Sequence, residues 1–204
     1  VISETPLELA PAHLADAEAP VTARDRLLAA ADELFYEEGI HVVGIDRVIE
    51  KAGVAKATLY STFGNKEGLI LAYLQARLER RQARVSAAIA KAKTPRGRVL
   101  AVFDVLNAYI ADPRFHGCAD INASAESEPG SAVEAAVQTS RRWRRSLFVD
   151  LVRDAGAKHP EQLGRQLEML YDGAMVSARV DGNDDAAKVA KATATALLDA
   201  ALPS

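Results

Sequence analysis

Between Gly44 and Phe63 the chain reads GIDRVIEKAGVAKATLYSTF, and few other stretches combine residue types with so definite a use. Two short helical runs meet at Ala52-Gly53. Ala52 is small enough to let the runs approach, and Gly53 supplies the positive φ that a tight inter-helix turn needs. Val54 and Leu59 fall back onto Ile45, Val48 and Ile49, which leaves Lys56, Ala57 and Tyr60 facing outward. A helix with a small, partly basic outer face fits the DNA major groove. Rival chemistry is poorly served. His13, His41, His116 and His159 are scattered with no nucleophile or carboxylate at a useful spacing. There is no glycine-rich phosphate loop and no zinc pattern: His116 and Cys118 stand two apart, but no second pair completes a metal site. These residues predict neither an enzyme nor a cofactor.

The elements that would position this stretch are helical. Of 204 residues 49% are hydrophobic, with alanine frequent and aromatics at 5%, so a sizeable core is available and a large sheet is not. Residues 1–20 lack sustained periodicity and read as an arm. Apolar residues then recur at helical spacing, predicting an all-α fold of about nine helices. The first runs over about 22–38, with Thr22 as N-cap and Gly39 as C-cap. Two short helices follow, then a long one opening at Lys66-Glu67 and ending near Ala92. Pro95 interrupts it. Further helices are expected over about 96–111, 118–125, 131–155, 160–181 and 184–201. The expected division is a DNA-binding head over 21–67 and a larger helical domain over 68–204.

Net charge is −3, which disfavours indiscriminate coating of nucleic acid but not a regulator with a few placed cations. Residues 21–67 hold six basic and eight acidic side chains. The acids Asp32, Glu33, Glu37 and Glu38 fall on the first helix, which can face away from a groove. No apolar stretch approaches the ~18 residues that span a bilayer. The single cysteine excludes an intrachain disulfide framework, and no secretory pattern opens the chain. The expectation is a soluble intracellular protein.

The run AGVAKATLYSTFGNKEGLILAYL resembles the signature of the tetracycline-repressor (TetR) family: a turn glycine, a recognition helix ending in Leu-Tyr, an aromatic beyond it, then Lys-Glu opening a long helix. Upstream, LLAAADELFYEEGIHVVGIDRVIEKAG is similar to that family's first two helices. The resemblance covers about residues 22–75. It implies that Lys56 reaches a phosphate or a guanine, that Ala55, Ala57 and Thr58 lie near base edges, and that Tyr60 and Lys66 bind phosphates. Gly44 would offer a backbone N–H where many relatives carry a hydroxyl. It also implies a homodimer on a near-palindromic operator, acting chiefly as a repressor in the bacterial cytoplasm.

For the remaining helices the resemblance implies dimerisation and effector binding. The run from His116 to Glu126, and that from Gln162 to Ala174, are similar to one branch of such regulators. The expected interface stripes are Leu163, Leu167, Leu170, Ala174 and Ala178 on one helix and Val189, Ala192, Ala196 and Ala200 on the next. An effector pocket would be lined by Phe103, Leu106, Tyr109, Cys118, Asn122, Trp143, Leu147, Met169 and Met175, favouring a hydrophobic or mixed-polarity small molecule. Asn122 must satisfy its amide, on a ligand or on nearby backbone. Cys118 is a candidate redox sensor or a small buried hydrophobe. Trp143 aligns inward with Leu147 and Leu151, so the arginines from Arg141 to Arg145 read as a solvated or salt-bridged face, as does the basic run Arg77–Arg98. The same residues also suit a DNA-binding factor without an effector, or a helical interaction module with a degenerate head.

Overall fold

Thr22 begins the first helix by a reciprocal cap: its hydroxyl accepts from the Asp25 N–H at 3.1 Å while its own N–H donates to the Asp25 carboxylate at 3.1 Å. The computed structural model describes residues 22–202, so the expected arm over 1–20 lies outside the described residues. In chain order the helices are α1 (Ala23–Glu38), α2 (Ile45–Ala52), α3 (Lys56–Phe63), α4 (Lys66–Lys91), α5 (Pro95–Ile110), α6 (Ala119–Glu126), α7 (Ala132–Asp154), α8 (Pro160–Val180) and α9 (Ala186–Ala201). The fold is all-α, with nine helices and no strand among the described residues. The expected break falls between Lys91 and Pro95, and Pro95 itself opens α5: proline lacks the N–H that a first turn leaves unpaired, and Thr94 caps the Gly97 N–H at 3.0 Å.

Two apolar cores organise the helices. One gathers Leu27, Leu34 and Phe35 of α1 with Val48, Leu59, Leu69 and Tyr73, and it takes in Ala123 of α6 and Val137 of α7. The other joins α5, α7, α8 and α9 through Phe103, Leu106, Phe148, Leu167 and Leu198, all at 0% exposure. The long helix α4 runs past both, contributing Leu69 and Tyr73 to the first and Val85 to the second.

Between the cores lies a layer of charge, whose arginines were expected on a solvated or salt-bridged face. Arg81 and Arg144 are buried, and so are Asp120, Ser140 and Glu168. Arg81 donates to Asp120 at 2.7 Å and to Ser140 at 3.0 Å, and Ser140 donates to Asp120 at 2.8 Å. At its N-terminal end the basic run starting at Arg77 takes the salt-bridged of the two expected forms, and Arg81 goes further and is buried. Arg77 and Arg80 meet Asp32 of α1 at 2.8 and 2.5 Å. Along α7 the inward line is Val137, Ser140, Arg144 and Phe148, so Arg144 takes the interior position expected of Trp143, which is half-buried like Leu147. Arg141 and Arg145 are salt-bridged, to Asp172 at 3.1 Å and to Glu168 at 2.8 Å.

Burial alone would raise the Asp120 pKa, but the Arg81 charge and the hydrogen bonds from Arg81 and Ser140 overcome it and hold this carboxyl low. A carboxylate with a depressed folded-state pKa stabilises the fold above its unfolded value, about 3.9, and loses that contribution as pH falls through the folded value. Asp120→Ala should destabilise by about 3–5 kcal/mol in urea unfolding, since it strands a buried guanidinium. In Asp120→Asn the stability should fall less steeply than in the wild type as the pH drops below about 4, where the native carboxylate begins to be protonated in the unfolded chain.

Candidate nucleic-acid interface

The turn between α2 and α3 depends on Gly53, which sits in the left-handed region at φ 61° and donates its N–H back to the last turn of α2. The turn lets Leu59 pack, fully buried, against Val48 and Ala52, and that packing fixes which side of α3 faces out. Ala55, Lys56, Ala57, Tyr60, Ser61 and Thr62 are exposed, while Thr58 and Phe63 are half-buried. Tyr60 is 45% exposed, and its hydroxyl has no hydrogen-bond partner among the described residues. Gly44 and Ala55 are the N-caps of α2 and α3, and neither provides a side-chain cap. The first-turn N–H groups of both helices are thus open to an anion, apart from that of Thr58, which donates to the Ala55 carbonyl at 2.9 Å.

The predicted cations of this surface are already engaged. Lys56 donates to Asp46 at 2.9 Å, and this hydrogen bond and charge raise its pKa. Arg47 forms two hydrogen bonds with Glu38, at 2.6 and 2.8 Å, and Lys51 donates to Glu33 at 2.5 Å. The acids of α1 therefore do more than face away: they reach across to α2. Lys66, the first residue of α4, donates to the His41 carbonyl at 3.1 Å; burial lowers its pKa. Lysine has three donors, so two remain for a phosphate.

A second set of contacts, absent from the sequence reading, ties this head to α6. Glu126 accepts the His41 N–H at 2.8 Å, and its carbonyl meets the His41 ring nitrogen. Gly39 lies against the same carboxylate: a Cβ there would come within 2.8 Å of it, and φ is 100°. Tyr36 donates to the Gly117 carbonyl at 2.8 Å, accepts from the His116 N–H at 2.9 Å and lies 2.8 Å from the Tyr109 hydroxyl. Lone polar residues far apart in sequence carry these bonds, so no periodic signal announces them.

The expected effector residues are only partly brought together. Phe103, Leu106, Cys118 and Met175 are buried within the second core, with Tyr109, Trp143 and Leu147 packed at its edge. Met169 is not with them: it is 73% exposed on the outer side of α8, because Leu167 and Tyr171 take the inward positions. Asn122 donates to the His116 carbonyl at 3.1 Å, capping backbone as one of its two expected uses required. Burial, and then the Asp120 charge, push the Cys118 thiol up, which disfavours the reactive thiolate.

The expected interface stripe on α8 also faces the wrong way. Leu163, Leu167 and Ala174 are buried in the chain's own core, and Leu170 and Ala178 pack beside it. The exposed stripe is Gln166, Met169, Gly173, Val176 and Val180. On α9 the expectation and the exposure agree: Val189, Ala192, Ala196 and Ala200 are all exposed.

Two short helices meeting at a left-handed glycine, the second with an exposed small-residue face and the long helix behind it, define a helix-turn-helix DNA-binding protein. Residues 27–73 match the family of bacterial regulatory proteins called the tetR family. The chain is similar to SCO4454, a TetR-family transcriptional regulator from Streptomyces coelicolor, at 37% identity and a TM-score of 0.84, over 88% of this chain and 95% of that one. The chain belongs to the TetR family of transcriptional regulators. Over 52 residues, 26% of the chain, it is 46% identical to the transcriptional activator FasR of Mycolicibacterium smegmatis. Over 78 residues, 38% of the chain, it is 33% identical to the HTH-type regulator Rv1255c of Mycobacterium tuberculosis. These two matches span 24% and 39% of those proteins' lengths. No helix of the described residues is long and apolar enough to cross a membrane.

Asp46 competes with phosphate for Lys56 and adds a negative charge to the first turn of α2. Asp46→Asn should tighten binding to promoter DNA roughly threefold to tenfold at low salt and steepen the salt dependence by up to about one counterion. Fluorescence anisotropy across a salt series measures both.

Proposed function

We propose that the protein is a homodimeric, effector-responsive regulator that represses from a near-palindromic operator. Residues 21–67 form the reading head and residues 68–204 the dimerisation and effector domain. The observation that carries the DNA half is the exposed face of α3, with Tyr60 unbonded and the helix start uncapped. Lys56 and Ala57 meet base edges or phosphates together with Ala55 and Thr58. Tyr60, Lys66 and the Gly44 N–H hold phosphates. The relatives do not fix the sign of control, because the activator among them matches little beyond the head.

Dimerisation is supported by the exposed apolar stripe that runs over α8 and α9, including Met169 at 73%, Val180 at 74% and Val189 at 60% exposure. With Gly173, Ala192 and Ala196 between them, two such faces pack closely across a two-fold axis. The pair of recognition helices then stands about one DNA turn apart, ~34 Å. An effector in the second domain favours a different spacing, and operator affinity falls by its preference between the two arrangements. The contacts of Glu126 of α6 with the α1–α2 turn, and of Gly117 just before α6 with Tyr36 of α1, are the route by which such a change reaches the head. The close packing of Phe103, Leu106 and Met175 favours a second reading, a DNA-binding factor with no effector.

Binding to DNA from the protein's own promoter region tests the first reading. Wild type should bind a short inverted repeat with salt-sensitive affinity. The Tyr60→Phe, Lys66→Ala double variant should lose roughly tenfold or more, having given up two phosphate contacts. Val176→Arg should sediment as a monomer that has lost specific binding. Leu167→Ala should instead lower stability by about 2–5 kcal/mol. Equal DNA binding by wild type and the double variant would remove α3 as the reading helix.

A further inference from the structure

Glu126 closes α6 at a place where the helix itself disfavours an acid. A helix C-terminus carries partial negative charge, and the last turn of α6 holds no basic residue. The carboxylate is stabilised from outside, by the α1–α2 turn. Its Oε2 accepts the His41 N–H at 2.8 Å. The Glu126 carbonyl, one of those that a helix end leaves unpaired, meets the His41 ring nitrogen. The same carboxylate fills the space beside Gly39, where a Cβ would come within 2.8 Å of Oε1.

His41 has a third bond. Its carbonyl accepts from the Lys66 Nζ at 3.1 Å. One residue of the turn is therefore joined by its N–H to the last residue of α6 and by its C=O to the first residue of α4. Lys66 is half-buried; burial lowers its pKa, and the charge of Glu126 opposes that shift. A lysine loses rotamer freedom when it takes a phosphate, and one already tied to a fixed carbonyl has given up part of that freedom beforehand.

The helix that carries Glu126 is a firm support. Ala119 and Ala123 are buried, Asp120 is bonded to Arg81 and Ser140, and Asn122 donates to the His116 carbonyl. We propose that Glu126 is a positioning residue for DNA binding: by holding His41 it fixes the carbonyl that aims the Lys66 ammonium at a DNA phosphate. The inference rests on the reading of Lys66 as a phosphate contact and adds the residue of α6 on which that contact depends. Glu126 acts through the His41 backbone and not on DNA itself. Its acceptor oxygen performs this role, whereas its charge repels phosphate.

Variants of the full chain are titrated by fluorescence anisotropy, over a salt series, with duplex DNA from the protein's own promoter region. Glu126→Ala should weaken binding roughly fivefold and lower the salt slope toward that of Lys66→Ala, whose own loss is about one counterion. Because the two residues act on one contact, Glu126→Ala should cost less than about twofold where Lys66 is already alanine. Glu126→Gln still presents an oxygen to the His41 N–H without the charge, and should keep wild-type affinity to within about twofold. Glu126→Asp keeps the charge one methylene short of His41 and should behave like Glu126→Ala, so it carries the same double-variant comparison if the alanine variant does not fold. Equal losses in the two Lys66 backgrounds, or Glu126→Gln as weak as Glu126→Ala, would overturn the proposal. Wild-type affinity in Lys66→Ala would remove the phosphate reading of Lys66 and the proposal with it. A weakened Lys66→Ala beside unaffected Glu126→Ala and Glu126→Asp would remove the proposal alone.

Discussion

The Asp120 carboxylate is the junction on which the architecture turns. It sits at the start of α6, takes Arg81 from α4 and Ser140 from α7, and lies within ion-pair distance of Arg144. Arg144 passes the link on to Asp172 of α8. Three helices, α4, α6 and α7, thus meet at one buried charge, and Arg144 extends the network to α8. Breaking such a pair leaves an uncompensated ion in the interior, which opposes separate movement of these helices. Because α6 also holds the α1–α2 turn through Glu126, its position is felt at both ends of the molecule. A change among the arginines of the charge layer therefore has a short bonded path to the reading head.

The head follows a different electrostatic logic. Its cations on α2 and at the start of α3 are matched with acids of α1 and α2, over distances of 2.5–2.9 Å. These are exposed pairs, individually weak and screened by salt, so they guide side chains without locking them. Pairing of this kind lowers the net attraction of the head for any polyanion. The net charge of the whole chain is −3.

Both helix-turn-helix elements, the cap at Thr22, the turn at Gly53 and the start of α4 were legible because each depends on residues within a few positions of one another. Two arginines were legible in principle and misread. Arg81 follows Leu74 and Leu78 and precedes Val85 on one helical stripe, and Arg144 stands between Val137, Ser140 and Phe148. Their periodicity placed them inside; their charge argued for solvent. Periodicity prevailed because Asp120 and Asp172 arrive from other helices to meet them. On α8 two stripes were each apolar enough to bury. Leu163, Leu167 and Ala174 were expected at a subunit interface, yet they face the chain's own core, and the stripe through Met169, Val176 and Val180 is left outside.

The sequence by itself determined the helical fold, the reading helix and the residues it exposes, since caps, turns and amphipathic spacing are local constraints and the recognition motif lies within a few dozen residues. The tertiary structure alone decided which face of α8 looks outward and which arginines are buried. Those outcomes depend on the mutual placement of α4, α6, α7 and α8, and no pattern within a single helix specifies where its neighbours will sit.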